Sequence, residues 1–197
     1  MLLFMEDFMF EQVLQKVEEQ CREERIPMLG PEKAKFIAGW VEKAKPSLIV
    51  ECGTAIGYSG LWMLRVLKEI GSGRLITIEI DTNRAKQAQA NFESAGVSDL
   101  VNSRIGDAQE ALKDINEPVD FLLLDNNFDN YYPCFKAIEP QLTNPATVLA
   151  DNVGIGADAM ADYLEHVRTN FESETHWFDI NLPWVKKDAI EVSIYRK

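Results

Sequence analysis

Apolar positions along this chain follow three rhythms in succession. Residues 6–25 set Phe8, Phe10, Val13, Leu14 and Val17 among Glu, Gln and Lys at nearly the helical period, acids first and basic residues last. That pattern predicts an amphipathic helix within residues 1–27. Two roles suit it: docking on the core, or reaching out as the arm of a homodimer or a lid over a site. After Gly30, Pro31 fits the first position of a second helix. Its buried face is marked by Phe36, Ile37, Trp40 and Val41, and it ends before Pro46.

From there, short and nearly continuous apolar runs alternate with helical patterns. The runs are Ser47–Glu51, Leu75–Glu79, Val119–Asp125 and Ala146–Asp151, as expected of parallel strands covered on both faces. Between them Tyr58–Ile70, Asn83–Ala95 and Tyr131–Leu142 read as helices, with Val101–Ile105 a weaker strand between the second and third. Strand then helix, repeated, implies right-handed crossovers and a doubly wound α/β sheet. The third rhythm comes at the end. Asp158–Phe171 reads as a helix with Asp158 as its N-cap, and then Thr175–Asp179 and Ala189–Tyr195 alternate in period two. Their connection is too short for a helical crossover, so these two strands pair antiparallel. The expected fold is one domain over residues 1–197. It has a mostly parallel seven-stranded sheet, helices on both faces and an antiparallel last strand.

Composition narrows the function. A chain of 197 residues, 46% hydrophobic, suits a single core, burying about 70% of the surface its unfolded chain exposes. No stretch approaches the roughly 20 apolar residues of a membrane helix, and Met1–Met5 meets Glu6 and Asp7 where a signal peptide needs a basic start. The expectation is a cytoplasmic protein with no membrane partner. Cys21, Cys52 and Cys134 are odd in number and widely spaced, so they read as reduced core thiols rather than a disulfide or zinc framework. The net charge of −12, with no clustered Lys and Arg, argues against a large nucleic-acid substrate. Lys186, Lys187, Arg196 and Lys197 read as a solvated edge. His166 and His176 lack metal-ligand spacing and read as surface or packing residues. A small molecule remains as the partner.

In an open parallel sheet ligands bind beyond the carboxyl ends of the strands, where strand order reverses. Here Glu51, Glu79, Asp125 and Asp151 each follow directly on an apolar run. A carboxylate in that place is costly to desolvate unless it meets a donor or a cation. The loop after the first run, Gly53-Thr-Ala-Ile-Gly57, lets the backbone pass under a ligand and the next helix pack closely. It lacks the middle glycine of a dinucleotide fingerprint and the Lys of a P-loop, and Glu51 would repel a pyrophosphate. A ligand with a cationic amino-acid head suits it better, with Glu79 placed to grip a pair of ribose hydroxyls.

Taken together, the segments Leu48–Ser59, Ile76–Asp81, Leu123–Tyr131 and Leu149–Asn152 resemble the catechol and caffeoyl-CoA O-methyltransferase family, class I enzymes that use S-adenosyl-L-methionine. The resemblance runs from about Met28 to the end of the chain. It implies that Gly53, Gly57 and Ser59 line the methionine part of the cofactor, with Glu51, Tyr58 and the backbone near Leu29 beside them. Glu79 would then hold the ribose hydroxyls with Ile80 alongside, while Asp107 and Ala108, in the segment Gly106–Gln109, would frame the adenine. It implies further that Asp125, also at the cofactor, joins Asp151 and Asn152 in holding a divalent cation. Magnesium is the usual one, and hard oxygen donors suit it.

The sequence departs from the family at one place. Three residues after the metal aspartate the relatives carry a lysine that serves as general base, and here Phe128 stands instead. Two readings stay open: an O-methyltransferase acting on a small hydroxylated, catechol-like acceptor, and a module that binds the cofactor without turnover. A Rossmann oxidoreductase is disfavoured by the Gly-x-x-x-Gly loop and the antiparallel end. Trp184 would serve either as an aromatic wall for the acceptor or as a packing residue. No residue is assigned as the catalytic base.

Overall fold

The computed structural model describes residues 2–180 and 186–196, with side chains from Phe8 onward. Chain order is α1 (Leu2–Glu24), α2 (Pro31–Ala44), β1 (Leu48–Cys52), α3 (Tyr58–Ile70), β2 (Arg74–Glu79), α4 (Thr82–Ser94), β3 (Val101–Ile105), α5 (Ala108–Lys113), β4 (Val119–Leu124), α6 (Tyr131–Ile138), β5 (Leu142–Ala150), α7 (Ala161–Asn170), β6 (Glu172–Asp179) and β7 (Lys187–Tyr195). The strands lie side by side as β3-β2-β1-β4-β5-β7-β6. Strands β1 to β5 pair in parallel, whereas β7 runs antiparallel to both β5 and β6. This is the doubly wound sheet with a reversed last strand that the sequence predicts. Its strand order reverses between β1 and β4.

Side chains alternate between the two faces of the sheet. Ile49, Phe121, Leu123 and Leu149 join α1, α2, α3 and α4 in one apolar layer. Leu48, Val50, Leu122, Leu124 and Val148 join α5, α6 and α7 in the other. Both faces are therefore dry, which explains the near-continuous apolar runs. Strand β3 is only partly buried at the sheet edge, so its polar residues Asn102, Ser103 and Arg104 dilute the signal. The three cysteines are free and buried. No helix among the described residues is long and apolar enough to cross a membrane.

Several local expectations change. The buried stripe of α1 is Phe10, Leu14, Val17 and Cys21, while Phe8 is exposed. Helix α2 buries Lys33, Ala34, Ile37, Ala38 and Val41, with Phe36 and Trp40 only flanking that face. Helix α6 ends at Ile138 because Pro140 enters the following turn. Asp158 caps nothing: the amides of Ala159 and Met160 both bond Gly156 O, and α7 starts only at Ala161. The short helix α5 was not expected; Asp107 caps it by accepting from Glu110 N at 3.2 Å.

Candidate active site

Parallel strands put five carboxyl ends on one edge, and backbone hydrogen bonds lace those ends together just past the strands. Gly106 N donates to Glu79 O, Gly53 N to Ile78 O, Asp125 N to Cys52 O and Asp151 N to Leu124 O, each at 2.9 Å. The residue following each apolar run is thus fixed beside its neighbour. The loop after β1 crosses so close to β4 that a Cβ on Gly53, where φ is +101°, would stand 2.1 Å from the carbonyl oxygen of Asp125. Only glycine fits there.

On the half of the edge built by β1, β2 and β3, the acids Glu51 and Glu79 are held by hydroxyls and backbone amides, with no cation among their hydrogen-bond partners in the described residues. Glu51 is 0% exposed. Ser59 Oγ donates to its Oε1, and Thr77 Oγ1 donates to its Oε2 at 2.5 Å while also sharing a hydrogen bond with Thr54. Burial raises its carboxyl to about 7; the two hydroxyl bonds offset part of that, and the charge of Glu79 adds to it. Glu79 accepts from Ala55 N at 2.7 Å and Asp81 N at 2.9 Å. These bonds fix its plane and leave carboxylate lone pairs for further donors. Gly57 closes the loop at the N-cap of α3, and Tyr58 OH donates to Glu18 Oε2 on α1 at 2.9 Å. Leu29 is buried in the same apolar layer. Ile80 and Ile105 are 71% and 53% exposed at the ends of β2 and β3, next to Asp107 and Ala108 at the start of α5. A cleft of about 620 Å³ runs along the end of β3 and α5, lined by Ile105, Gly106 and Asp107 together with Arg104, Glu110 and Lys113.

The half built by β4, β5 and β7 contains a cation of its own. Lys33 Nζ donates to Asp151 Oδ1 at 2.6 Å and to Asp188 Oδ2 at 2.5 Å, with all three side chains at most 2% exposed. Burial alone would lower the Lys33 ammonium, but the two carboxylates outweigh it and the net shift is upward. Asp151 is nevertheless pushed up to about 6, because its burial exceeds the pull of Lys33. Asp125 is raised well above the carboxylate range by burial first, then by the charges of Asp151 and Glu51. It accepts no hydrogen bond from a side chain among the described residues. Asn152, at φ +58°, turns its Nδ2 to Asp188 Oδ2 at 2.8 Å. Tyr131 OH anchors the Asp151 carbonyl at 3.1 Å.

The structure thus brings Asp125, Asp151 and Asn152 to adjacent strand ends, and it adds two residues the sequence reading passes over. Lys33 lies one and two turns before Ile37 and Val41 on one helical stripe, a spacing that could have flagged it as inward-facing. Asp188 opens an antiparallel strand, and no local motif marks it. Phe128 begins a short 3-10 turn, packs edge-on to Tyr131 with ring centres 6.4 Å apart, and borders Gly156. His166 and His176 pack against aromatic rings, Phe135 and Phe36 among them. Trp184 lies outside the described residues.

Comparison with known proteins adds three findings. The family described as "Methyltransferase domain" matches residues 50–153. The chain is 30% identical over 181 residues to the catechol O-methyltransferase of Sus scrofa, covering 88% of this chain and 95% of that one, and 28% identical over 193 residues to that of Mus musculus, covering 93% and 71%. In fold it resembles the crystal structure of an O-methyltransferase from Bacillus cereus in complex with SAH, with a TM-score of 0.82, 22% identity and 94% and 91% of the two chains covered.

Proposed function

Because the chain belongs to the S-adenosylmethionine-dependent O-methyltransferases of the catechol and caffeoyl-CoA type, we propose that it methylates a small acceptor with adjacent hydroxyls, of catechol type, beside a bound divalent cation. The observation that carries this reading is one laced edge divided into a half whose acids Glu51 and Glu79 have no cation among their described partners and a half rich in oxygen donors. The whole of residues 1–197 is read as one methyltransferase domain. The alternative of a module without turnover finds no support among the relatives, which are enzymes.

The residues fit the cofactor. Glu51 is a buried acid with no cation in contact, so a ligand with a cationic head relieves it. Both its oxygens are already engaged by Ser59 and Thr77, so it acts through its field, while Ser59, the loop Gly53–Gly57, Tyr58 and Leu29 wrap the methionine end. Glu79 keeps lone pairs for the ribose hydroxyls, and Ile80, Asp107 and Ala108 frame the base, the apolar Ile80 offering a face to a purine. Asp125 closes the methionine end toward the acceptor. Bound there, S-adenosylmethionine would supply an electrophilic methyl group to the acceptor oxygen and leave as the thioether S-adenosylhomocysteine, with the hydroxyl proton passing to solvent.

The residues fit a cation as well. Asp125 and the amide oxygen of Asn152 are hard donors that accept no side-chain hydrogen bond among the described residues, the Asp151 carboxylate keeps lone pairs beyond its bonds from Lys33 and the Asn152 backbone amide, and Lys33 neutralises only part of the local charge. A cation held by them would supply acidification of a chelated hydroxyl. The chain's own contribution is orientation: two adjacent hydroxyls held against Asp125 and Asn152, with the apolar ring of Phe128 excluding water nearby. Phe128 cannot take a proton and Lys33 is engaged as an ammonium, so the acceptor's own acidity decides its rate.

Turnover of catechol against an isolated aliphatic alcohol, with magnesium and with chelator, tests this. Catechol should react and the alcohol should not. Phe128→Lys should raise the catechol rate by about 10-fold or more and move the pH profile lower. Equal rates on both acceptors would overturn the acceptor class, and full activity in chelator would overturn the cation.

A further inference from the structure

Asp188 collects more donors than any other carboxylate described above. Its Oδ2 accepts from Lys33 Nζ at 2.5 Å and Asn152 Nδ2 at 2.8 Å, and its Oδ1 accepts from Gly154 N at 3.1 Å and Ile155 N at 3.0 Å. It is 1% exposed. A carboxylate only accepts, so the amide of Asn152 must present its nitrogen to Asp188 and its oxygen to the other side. Asn152 sits in the left-handed region at the turn that leaves β5. That turn is held by the two backbone amides on Asp188 and by Val153 N on Ala189 O at 3.0 Å. It closes tightly onto Asp188: a Cβ on Gly154 would stand 2.8 Å from Asp188 Oδ1 and 2.9 Å from Ala189 N. The same Asp188 holds Lys33, whose other bond fixes Asp151 Oδ1, and the carboxylate of Asp151, also bonded by the Asn152 backbone amide, keeps further lone pairs.

We propose that Asp188 is the positioning residue of the cation site: it orients the Asn152 amide directly and Asp151 through Lys33, so that both offer an oxygen to the ion while Asp188 does not touch it. This rests on the reading of Asp125, Asp151 and Asn152 as cation ligands. Residues that orient metal ligands are worth about 10- to 100-fold in metal affinity. Asp188 would belong to that group although it lies on another strand, 36 residues from the amide it turns.

Direct titration of magnesium or manganese into the purified protein, with S-adenosylhomocysteine titrated in parallel, tests the proposal. In the otherwise native chain Asp188→Asn should weaken the cation by about 10-fold or more and leave S-adenosylhomocysteine within about two-fold. In an Asn152→Ala background the same change should cost less, because the group it orients directly is gone and only Asp151, held through Lys33, remains. A merely structural role would give equal losses in both backgrounds and would weaken S-adenosylhomocysteine too, and either result overturns the proposal. If Asp188→Asn fails to fold, Gly154→Ala replaces it: every charge is kept, Asp188 is pushed from the turn, and the cation alone should weaken. A native cation affinity that Asp151→Ala leaves intact would overturn the ligand reading and the proposal together. A cation lost in Asp151→Ala but untouched by Asp188→Asn and Gly154→Ala would overturn the proposal alone.

Discussion

The two halves of the site edge handle buried negative charge in opposite ways. Beside β1 and β2, Glu51 and Glu79 are held by hydroxyls and backbone amides with no cation in contact, and Glu51 keeps its proton up to about pH 7. Beside β5 and β7, Asp151 and Asp188 share the ammonium of Lys33, and Asp188 falls below the usual carboxylate range because Lys33 and Asn152 outweigh its burial. The first half is completed by what binds to it, the second in part by the chain itself. Charge on the first half therefore governs ligand affinity, and charge on the second governs folding as well as binding.

The comparison breaks most visibly at Lys33. Removing one partner of a buried ion pair leaves an uncompensated charge, so Lys33→Met should cost about 3–5 kcal/mol of stability in urea unfolding. Glu51→Gln, at an acid with no cation among its described partners, should leave stability near neutral pH unchanged or higher. Equal losses in the two variants would erase the distinction. Next in size, Glu79→Ala should weaken S-adenosylmethionine by about 10- to 100-fold in calorimetry, since a charged hydrogen bond contributes about 1.5–3 kcal/mol. Cation affinity should hold in that variant, and a parallel loss would mean that the halves are not separable.

The smallest effect sharpens the picture through pH. The folded pKa of Glu51, about 7, lies above its ordinary value. Its contribution to stability is therefore greatest at low pH and declines as pH rises from the unfolded value through about 7. Ligand binding runs the other way. A cationic head favours the ionised carboxylate, so S-adenosylmethionine affinity should rise several-fold between about pH 5.5 and 7.5 and then level off. Glu51→Gln should flatten that rise, and an unchanged slope would assign it to another group.

The cofactor half was legible because it is local. The apolar run ending at Glu51, the loop to Gly57 and the helix from Tyr58 occupy consecutive residues, and the strand, loop and helix stand where the spacing puts them. The places of Asp125 and Asp151 at adjacent strand ends were legible for the same reason, each following its own run, whereas Asn152 entered only through the family resemblance. Lys33 was passed over because a lysine on an apolar stripe reads as a flank, and only the distant acids that receive it make burial affordable in free energy. The start of α7 was misplaced because Gly156 O takes the amide of Met160, one of the two an Asp158 cap would have accepted. Asp188 could not be read, since its role depends on strand direction and on a turn that follows a different strand.

The reversed direction of β7 also sets the order in which the enzyme can be assembled during synthesis. Lys33 and Asp188 are 155 residues apart, so a nascent chain displays the whole cofactor loop and all three proposed cation ligands long before the carboxylate that balances Lys33 leaves the ribosome. Closing so long a loop is entropically modest, growing only with the logarithm of its length, but it has to wait for the sheet to be nearly finished. Until then Lys33 has one of its two counter-charges. The half of the edge that holds Lys33 is completed only when the last strand threads back between β5 and β6 and locks the two ends of the chain together.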